Sequence, residues 1–514
     1  MEKSRTHYSI LNITTGVGGY FVNTLVGFVC RMVFVRCLTA DYLGINGLFS
    51  NVLSMLSLAE LGVGSAIGYA LYKPLATHDE EKIASLMKFY GMAYKIIGIS
   101  IGTIGVALLP FMRYIIGDAP SIKENLNVIY LIFLFNTASS YFFSYRGALL
   151  QTDQKSYIVT GLNYIQTIAQ SIIQIIYLLL THEYYGYLII QAIGMILYNF
   201  SISYVSKKQY PYIVGKEIKP LSKMERNKIS KDVGNLMITR LAGILVGDTD
   251  YIIITFFNGL SATGLTSNYS LFTGTLTTLL NQIFYGMNAS IGNHNALSDK
   301  ESQEKMFLNI NFMNFWLFGW ATVEIVCIAS CFVELFFGEK YVMEPSIPMV
   351  LALNFYMVGM QNAVWIYKNT LGIFKQGRFV LVGTAILNII FSLLLGKIWG
   401  VLGILFASAV ARLFTNTWYD PYCVYKYGFG KNFKGYIKRY LLYVVVVIGS
   451  VGGGTEVCKL ITLPLLGEII CRAFISSLIF NLVVIIVFGK TKEFKYILNK
   501  GKEIFRRLKY RREM

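Results

Sequence analysis

Apolar residues run along this chain in blocks of about 20 or more, the length that a bilayer core of roughly 30 Å demands of a helix. Read in order, they fall at roughly 10 to 37, 43 to 72, 86 to 110, 126 to 145, 157 to 181, 185 to 205, 233 to 257, 263 to 289, 307 to 336, 346 to 367, 379 to 399, 401 to 424, 437 to 458 and 463 to 489. The blocks show no ten-residue alternation, which argues against an outer-membrane barrel. Eight of the nine prolines fall at or outside the block ends, and Pro348 sits in a first turn where its ring is tolerated. The pattern predicts an all-α integral membrane protein of about 14 transmembrane helices.

A charged linker divides the first twelve blocks near their middle. The expected organisation is an N-terminal six-helix half (1-206), a basic cytoplasmic linker (207-232), a C-terminal six-helix half (233-424), two additional transmembrane helices (425-489) and a basic cytoplasmic tail (490-514). The two halves are expected to be pseudo-symmetric. Displaced by 220 positions, Gly264 falls on Gly44, so each half would open with a charged helix, a glycine-containing polar turn and a returning helix. In the first half that turn is read as Asp41-Tyr42-Leu43-Gly44. Asp79 is placed to start the third span. In the tail, Phe494, Ile497, Leu498, Ile504, Phe505 and Leu508 recur at helical spacing, which predicts a helix on the inner leaflet.

Composition agrees. A mean hydropathy of +0.53, with 55% hydrophobic and only 14% charged residues, excludes a soluble multidomain protein. The net charge of +18 raises the question of nucleic acid, and its distribution answers it. With a cytoplasmic N-terminus, roughly 35 of the 46 Lys and Arg residues fall on the inner side, as the positive-inside rule requires. Both termini are then cytoplasmic. The basic excess belongs to topology and anionic headgroups, and no nucleic-acid partner is implied. The seven cysteines form no Cys-x-x-Cys pair or Cys/His cluster, so neither a metal site nor a disulfide framework is expected.

The candidate chemistry lies in charges at membrane depth, which cost at least about 2.5 to 3.5 kcal/mol each unless they face protein or water. Arg31, Arg36, Arg240, Arg412 and Arg472 are intramembrane cations, and a guanidinium pairs bidentately with phosphate. Each also has a structural reading as an internal ion pair: Arg31 or Arg36 with Glu60, Arg240 with Asp248, and Arg472 with Glu468 one turn earlier. Glu60, Asp248, Asp250 and Glu324 are acids at membrane depth. Of these, Glu60, Asp248 and Asp250 are the candidates for coupling to H+ or Na+. Span eight offers Thr277, Thr278, Asn281, Gln282 and Asn288, either as a hydrogen-bonding wall for a glycan or as interhelical contacts.

The stretches Tyr42-Leu43-Gly44-Ile45-Asn46-Gly47-Leu48-Phe49, Leu58-Ala59-Glu60-Leu61-Gly62-Val63-Gly64-Ser65-Ala66-Ile67 and Leu71-Tyr72-Lys73-Pro74-Leu75 resemble the Wzx-type polysaccharide flippases. So do Asp248-Thr249-Asp250 through Gly264, Ser267-Asn268-Tyr269 and Ala289-Ser290-Ile291-Gly292-Asn293. That family shares a superfamily with the MATE antiporters and lipid II flippases. Thr39 and Thr266 depart from its pattern, which has Gly and Tyr there.

The resemblance implies a non-enzymatic flippase that carries an undecaprenyl-diphosphate-linked oligosaccharide from the cytoplasmic to the outer leaflet by alternating access, for surface polysaccharide assembly. It implies a monomer in a bacterial cytoplasmic membrane, with membrane lipids, a polysaccharide polymerase and glycosyltransferases as partners. In that setting Arg31, Arg36, Arg240 and Arg412 would meet the diphosphate, and Thr277, Asn281, Gln282 and Asn288 would line the glycan path. No cofactor is expected. The alternative is a MATE-like cation-coupled multidrug antiporter, for which acids rather than arginines should dominate the path.

Overall fold

In the computed structural model, residues 5–57, 63–116, 122–153, 155–215, 218–227, 229–231, 233, 249–373 and 378–512 are described. The chain is all-α. Its helices are α1 (Arg5–Cys37), α2 (Ala40–Leu56), α3 (Val63–Ala76), α4 (Glu80–Ile116), α5 (Leu126–Ser140), α6 (Tyr145–Thr152), α7 (Ser156–Thr181) and α8 (Tyr184–Gln209). After the linker come α9 (Thr249–Leu297), α10 (Lys300–Phe337), α11 (Ser346–Gly359), α12 (Asn362–Thr370), α13 (Arg378–Phe414), α14 (Asn416–Cys423), α15 (Lys434–Cys458), α16 (Leu465–Phe488) and α17 (Lys492–Arg512).

Among the described residues nine helical segments are long and apolar enough to cross a membrane, or ten if the bent pair α5 and α6 is one span. Fewer segments than the fourteen blocks result in part because α9 and α13 are each two helices meeting at a kink, and both kinks fall where one block was expected to end and the next to begin. α9 joins spans expected to end at 257 and restart at 263, bending at Gly259 (φ 80°). α13 joins the blocks meeting at 400, bending at Gly400 (φ 56°). Both glycines occupy the left-handed region, which a side chain resists. Three prolines also lie inside helices rather than at their ends: Pro74 in α3, Pro110 in α4 and Pro421 in α14. α4 continues through Pro110 to Ile116, and a single π-helical stretch, Val424–Phe429, follows the Pro421 turn.

The first turn is also tighter than Asp41 to Gly44. Thr39 is extended (φ −86°, ψ 169°), and α2 has already begun at Ala40, with Asp41 in its first turn where a carboxylate suits the helix dipole.

The internal repeat is written in the element boundaries. α4 and α10 begin at Glu80 and Lys300, and α5 and α11 at Leu126 and Ser346, each pair 220 positions apart. α8 ends at Gln209 and the α14 run at Phe429, again 220 apart. The caps repeat too. Asp79 Oδ1 accepts from Lys82 N (3.0 Å), and Asp299 Oδ1 accepts from Ser302 N (3.2 Å), each satisfying an orphan donor of the helix it opens.

The chain forms two compact units, 1–264 and 265–514. In the first, α1 packs along α7, α7 against α8, and α5 against both α4 and α8. Residues 249–264 belong to this unit, and their anchor is a reciprocal glycine contact. A Cβ on Gly44 would lie 2.0 Å from Leu260 O, and one on Gly264 would lie 2.3 Å from Ala40 O and 3.0 Å from Gly44 N. The start of α2 and the part of α9 just after its Gly259 kink therefore pack backbone to backbone.

Part of the linker docks on the start of α4: Lys82 pairs with Glu225, Lys219 with Glu81 (2.7 Å), and Lys88 Nζ donates to Ile218 O (2.9 Å). The Lys82 ammonium, followed by the Ser222 hydroxyl, holds the Glu225 carboxyl below its usual range.

In the second unit, α10 is the central helix, packed by α11, α15, α16 and α17. Phe312, Phe315, Tyr443, Phe480 and Phe488 form the aromatic core between them. Phe315 stacks on Tyr443 with centroids 4.1 Å apart. The tail is helical, as its periodicity indicates, yet its first turns enter this core. Phe494 is buried and stacks on Trp316 (5.3 Å), while Arg439 pairs with Glu493.

Gly44→Ala and Gly264→Ala should each cost about 1 to 3 kcal/mol by forcing the two segments apart. Thermal unfolding in detergent should show a lowered Tm for each, and the double variant should lose less than the sum because both disturb one contact. Lys82→Ala should raise the rate of tryptic cleavage within 218–231 by up to about fivefold, the most that a solvent-exposed ion pair supplies. An unchanged cleavage rate would show that the docked linker does not depend on this pair.

Candidate transport site

α1 brings two of the expected phosphate ligands into the first unit. Arg36 occupies its last turn, is exposed, and has no ion pair among the described residues. Arg31 is half-buried where α1 meets α7 and α8, close to Cys30 and Tyr187. The Cys30 thiol meets the side chains of Tyr187 and Ser171 there. A ladder of amides continues from this point along α7. Gln166 Nε2 donates to Gln170 Oε1 (2.5 Å), Gln170 Nε2 to Gln174 Oε1 (3.3 Å), and Gln174 Nε2 to Tyr187 O (3.0 Å). Sequence reasoning missed this ladder. Its signal was the recurrence of glutamine every fourth residue in an apolar span, which places all three on one face.

Where α1 gives way to α2, this unit is tied by the Tyr42 hydroxyl, which donates to Glu124, and by Tyr42 and Phe34 packing edge-on to Tyr184. At the α5 to α6 bend, Tyr90, Tyr94, Tyr141 and Tyr145 cluster, and the Arg146 guanidinium sits 5.2 Å from the Tyr145 ring centroid while donating to Ser203 Oγ. Arg146 is thus a further cation set among helices, held by a hydroxyl and a ring. An apolar groove of about 390 Å³ runs between α5 and α8, lined by residues including Leu131, Phe135, Ile189 and Ile193.

Of the three expected coupling acids, Asp250 is among the described residues. Glu60 and Asp248, like Arg240, lie outside the described residues, and Asp250 is half-buried in the first turn of α9. Beyond it, Thr255 and Thr263 hydroxyls meet at 2.8 Å across the Gly259 bend.

In the second unit, the hydroxyls of Thr275, Thr277 and Thr278 each donate to the carbonyl four residues earlier on α9, at 2.8, 2.8 and 2.9 Å. Asn281 Oδ1 accepts from Asn362 Nδ2 on α12 (2.7 Å), an interhelical contact. Gln282 is exposed, and the Asn288 side chain lies outside the described residues. Of the proposed wall, Thr277 and Asn281 are half-buried on α9, with Gln282 on a more open face. Tyr269, from the Ser267-Asn268-Tyr269 motif, accepts from Met343 N (3.1 Å) and so pins the connection between α10 and α11.

Arg412 is half-buried near the end of α13. Arg472 pairs with Glu468 on its own helix, as their spacing indicates. Lys368 and Asp420, which the sequence did not single out, form a buried pair at 2.5 Å, with the Asp420 side chain 2% exposed. No group of three or more His, Cys, Asp and Glu able to hold a metal occurs among the described residues.

No protein-family model and no curated protein matches this chain. Solved structures do. The lipid II flippase MurJ in its inward closed conformation matches with a TM-score of 0.63 at 14% identity, covering 93% of this chain and 99% of that one. An inward-facing multidrug resistance MATE family transporter of the MOP superfamily matches with a TM-score of 0.56 at 14% identity, covering 78% and 94%. A mutant of the Vibrio cholerae MATE transporter VcmN matches with a TM-score of 0.52 at 14% identity, covering 83% and 99%. These are membrane transporters and a flippase, and at such identities what the likeness shows is the fold. This chain is a multi-pass helical membrane protein with the fold shared by the lipid II flippase and the MOP-superfamily transporters.

Proposed function

We propose that this protein is a flippase that moves an undecaprenyl-diphosphate-linked oligosaccharide from the cytoplasmic to the outer leaflet of a bacterial cytoplasmic membrane by alternating access, with both termini cytoplasmic. The observation that carries the reading is the pair of arginines on α1: Arg36 exposed in its last turn and Arg31 half-buried five residues earlier. A guanidinium left open at the end of an apolar helix suits a cargo bearing phosphate oxygens, which it can grip with two parallel hydrogen bonds. The fold shared with a lipid II flippase over nearly the whole chain supports a lipid-linked cargo.

In this reading Arg31, Arg36, Arg240 and Arg412 serve the diphosphate, and Thr277, Asn281, Gln282 and Asn288 serve the glycan. The membrane potential favours the export of an anion by about 2.3 kcal/mol per charge per 100 mV, so transport of a diphosphate has a driving force before any ion is coupled to it.

Deleting the gene should cause lipid-linked oligosaccharide to accumulate on the inner leaflet, where an impermeant glycan-modifying reagent added outside cannot reach it. Accumulation of an expelled organic cation instead would favour the MATE-like alternative. In the complemented strain, Arg36→Ala and Arg31→Ala should each lower export about 10- to 100-fold through loss of a charge-assisted contact. Lys at either position should restore export only in part, because an ammonium lacks the bidentate fork. Unchanged export in both alanine variants would remove the phosphate role.

A further inference from the structure

The second unit contains a polar seam between α10 and α16 that the transport reading leaves unused. Glu324, 5% exposed, sits in its middle. Ser476 Oγ donates to Glu324 Oε2 (2.9 Å), and Ser477 Oγ donates to Glu324 Oε1 (2.7 Å). Ser477 Oγ in turn accepts from Trp320 Nε1 (2.8 Å). Ser476 Oγ also lies 2.6 Å from Arg472 O, a second acceptor for its proton. Towards the α15 to α16 connection, Arg472 pairs with Glu468 and reaches Cys327 O, while Glu468 lies beside the Cys331 thiol (4.0 Å). The other ionisable groups around Glu324 are the Cys327 thiol on its own helix and the Cys458 thiol on α15.

We propose that Glu324, Ser476 and Ser477 form a binding site for one exchangeable proton. The charges argue for it first. Arg472 is already neutralised by Glu468, so an ionised Glu324 leaves the seam with one uncompensated negative charge away from water, and a single bound monovalent cation makes it neutral.

The hydrogen bonds argue for a proton as that cation. With Glu324 ionised, both serine hydroxyls donate to its oxygens. With Glu324 protonated, its O–H can donate to Ser476 Oγ, whose own proton turns to Arg472 O. Each protonation state therefore satisfies the carboxyl and both serine hydroxyls by rotating one hydroxyl, with no backbone movement. Arg472 and Glu468 stand one and two turns before Ser476 on α16. They lead from the α15 to α16 connection, about 16 Å away along the helix, to the carboxyl.

The site is tested on the reconstituted full-length protein by infrared difference spectroscopy across a pH titration, a readout independent of the cargo. The wild type should show a protonated-carboxyl band that titrates reversibly and is missing from Glu324→Gln. No such band in the wild type, or the same band in the variant, overturns the proposal. So does loss of the band when Na+ replaces a large organic cation at constant pH, since the site then takes a metal ion. Should Glu324→Gln fail to assemble, Ser477→Ala decides. Removing one donor to the carboxylate should move the titration midpoint upward by about one to two pH units, and an unmoved midpoint overturns the assignment.

Discussion

Inside a bilayer there is no water to complete the hydrogen bonds of a polar group, and a group left incomplete costs several kcal/mol. That constraint explains most of the side-chain geometry in this chain. The α9 threonines fold their hydroxyls back onto their own helix, and the three glutamines of α7 bond to one another and finally to Tyr187 O. Asp420 is buried because Lys368 is there to meet it, and Glu324 because two serines converge on it. Asn388 Nδ2 donates to Ser408 Oγ at 2.7 Å across the two arms of α13. Against this background an exposed charge on an apolar helix stands out, and Arg36, in the last turn of α1, is such a charge.

The repeat offers an economical answer to the same constraint. A segment that has solved its caps and bends once can be used twice, and here the solutions recur 220 positions apart: an aspartate cap before α4 and α10, and a break separating α5 from α6 and α11 from α12. The start of α2 and the part of α9 just after its kink meet at Gly44 and Gly264, where hydrogen is the only side chain that lets two backbones approach so closely. A contact made of backbone rather than long side chains closes tightly.

The three C-terminal helices break the symmetry. α15, α16 and α17 pack on α10 through a stacked aromatic core, so the face between them is filled by Phe315, Tyr443, Phe480 and Phe488. The apolar groove in the first unit lies elsewhere, between α5 and α8. The added helices also bring the serines that surround Glu324, giving α10 a polar partner that its counterpart α4 does not have from them.

Much of this could be read from the chain itself, because hydropathy and helical spacing are local properties. The helical class, the bends near 259 and 400, the cap at Asp79, the helical tail and the pairing of Arg472 with Glu468 all follow from residues within a few turns of one another. The position of the first turn was misjudged for the same reason: Asp41 and Gly44 are turn formers by type, but a helix that can start at Ala40 gains a carboxylate in its first turn.

What the sequence could not supply were the partners far along the chain. Glu324 with Ser476, Lys368 with Asp420, Asn281 with Asn362 and Gly44 with Leu260 are each separated by 52 to 216 positions. No periodicity encodes such pairs. They exist because packed helices bring distant turns to the same depth, and only the tertiary structure decides which polar residue finds a partner and which is left open.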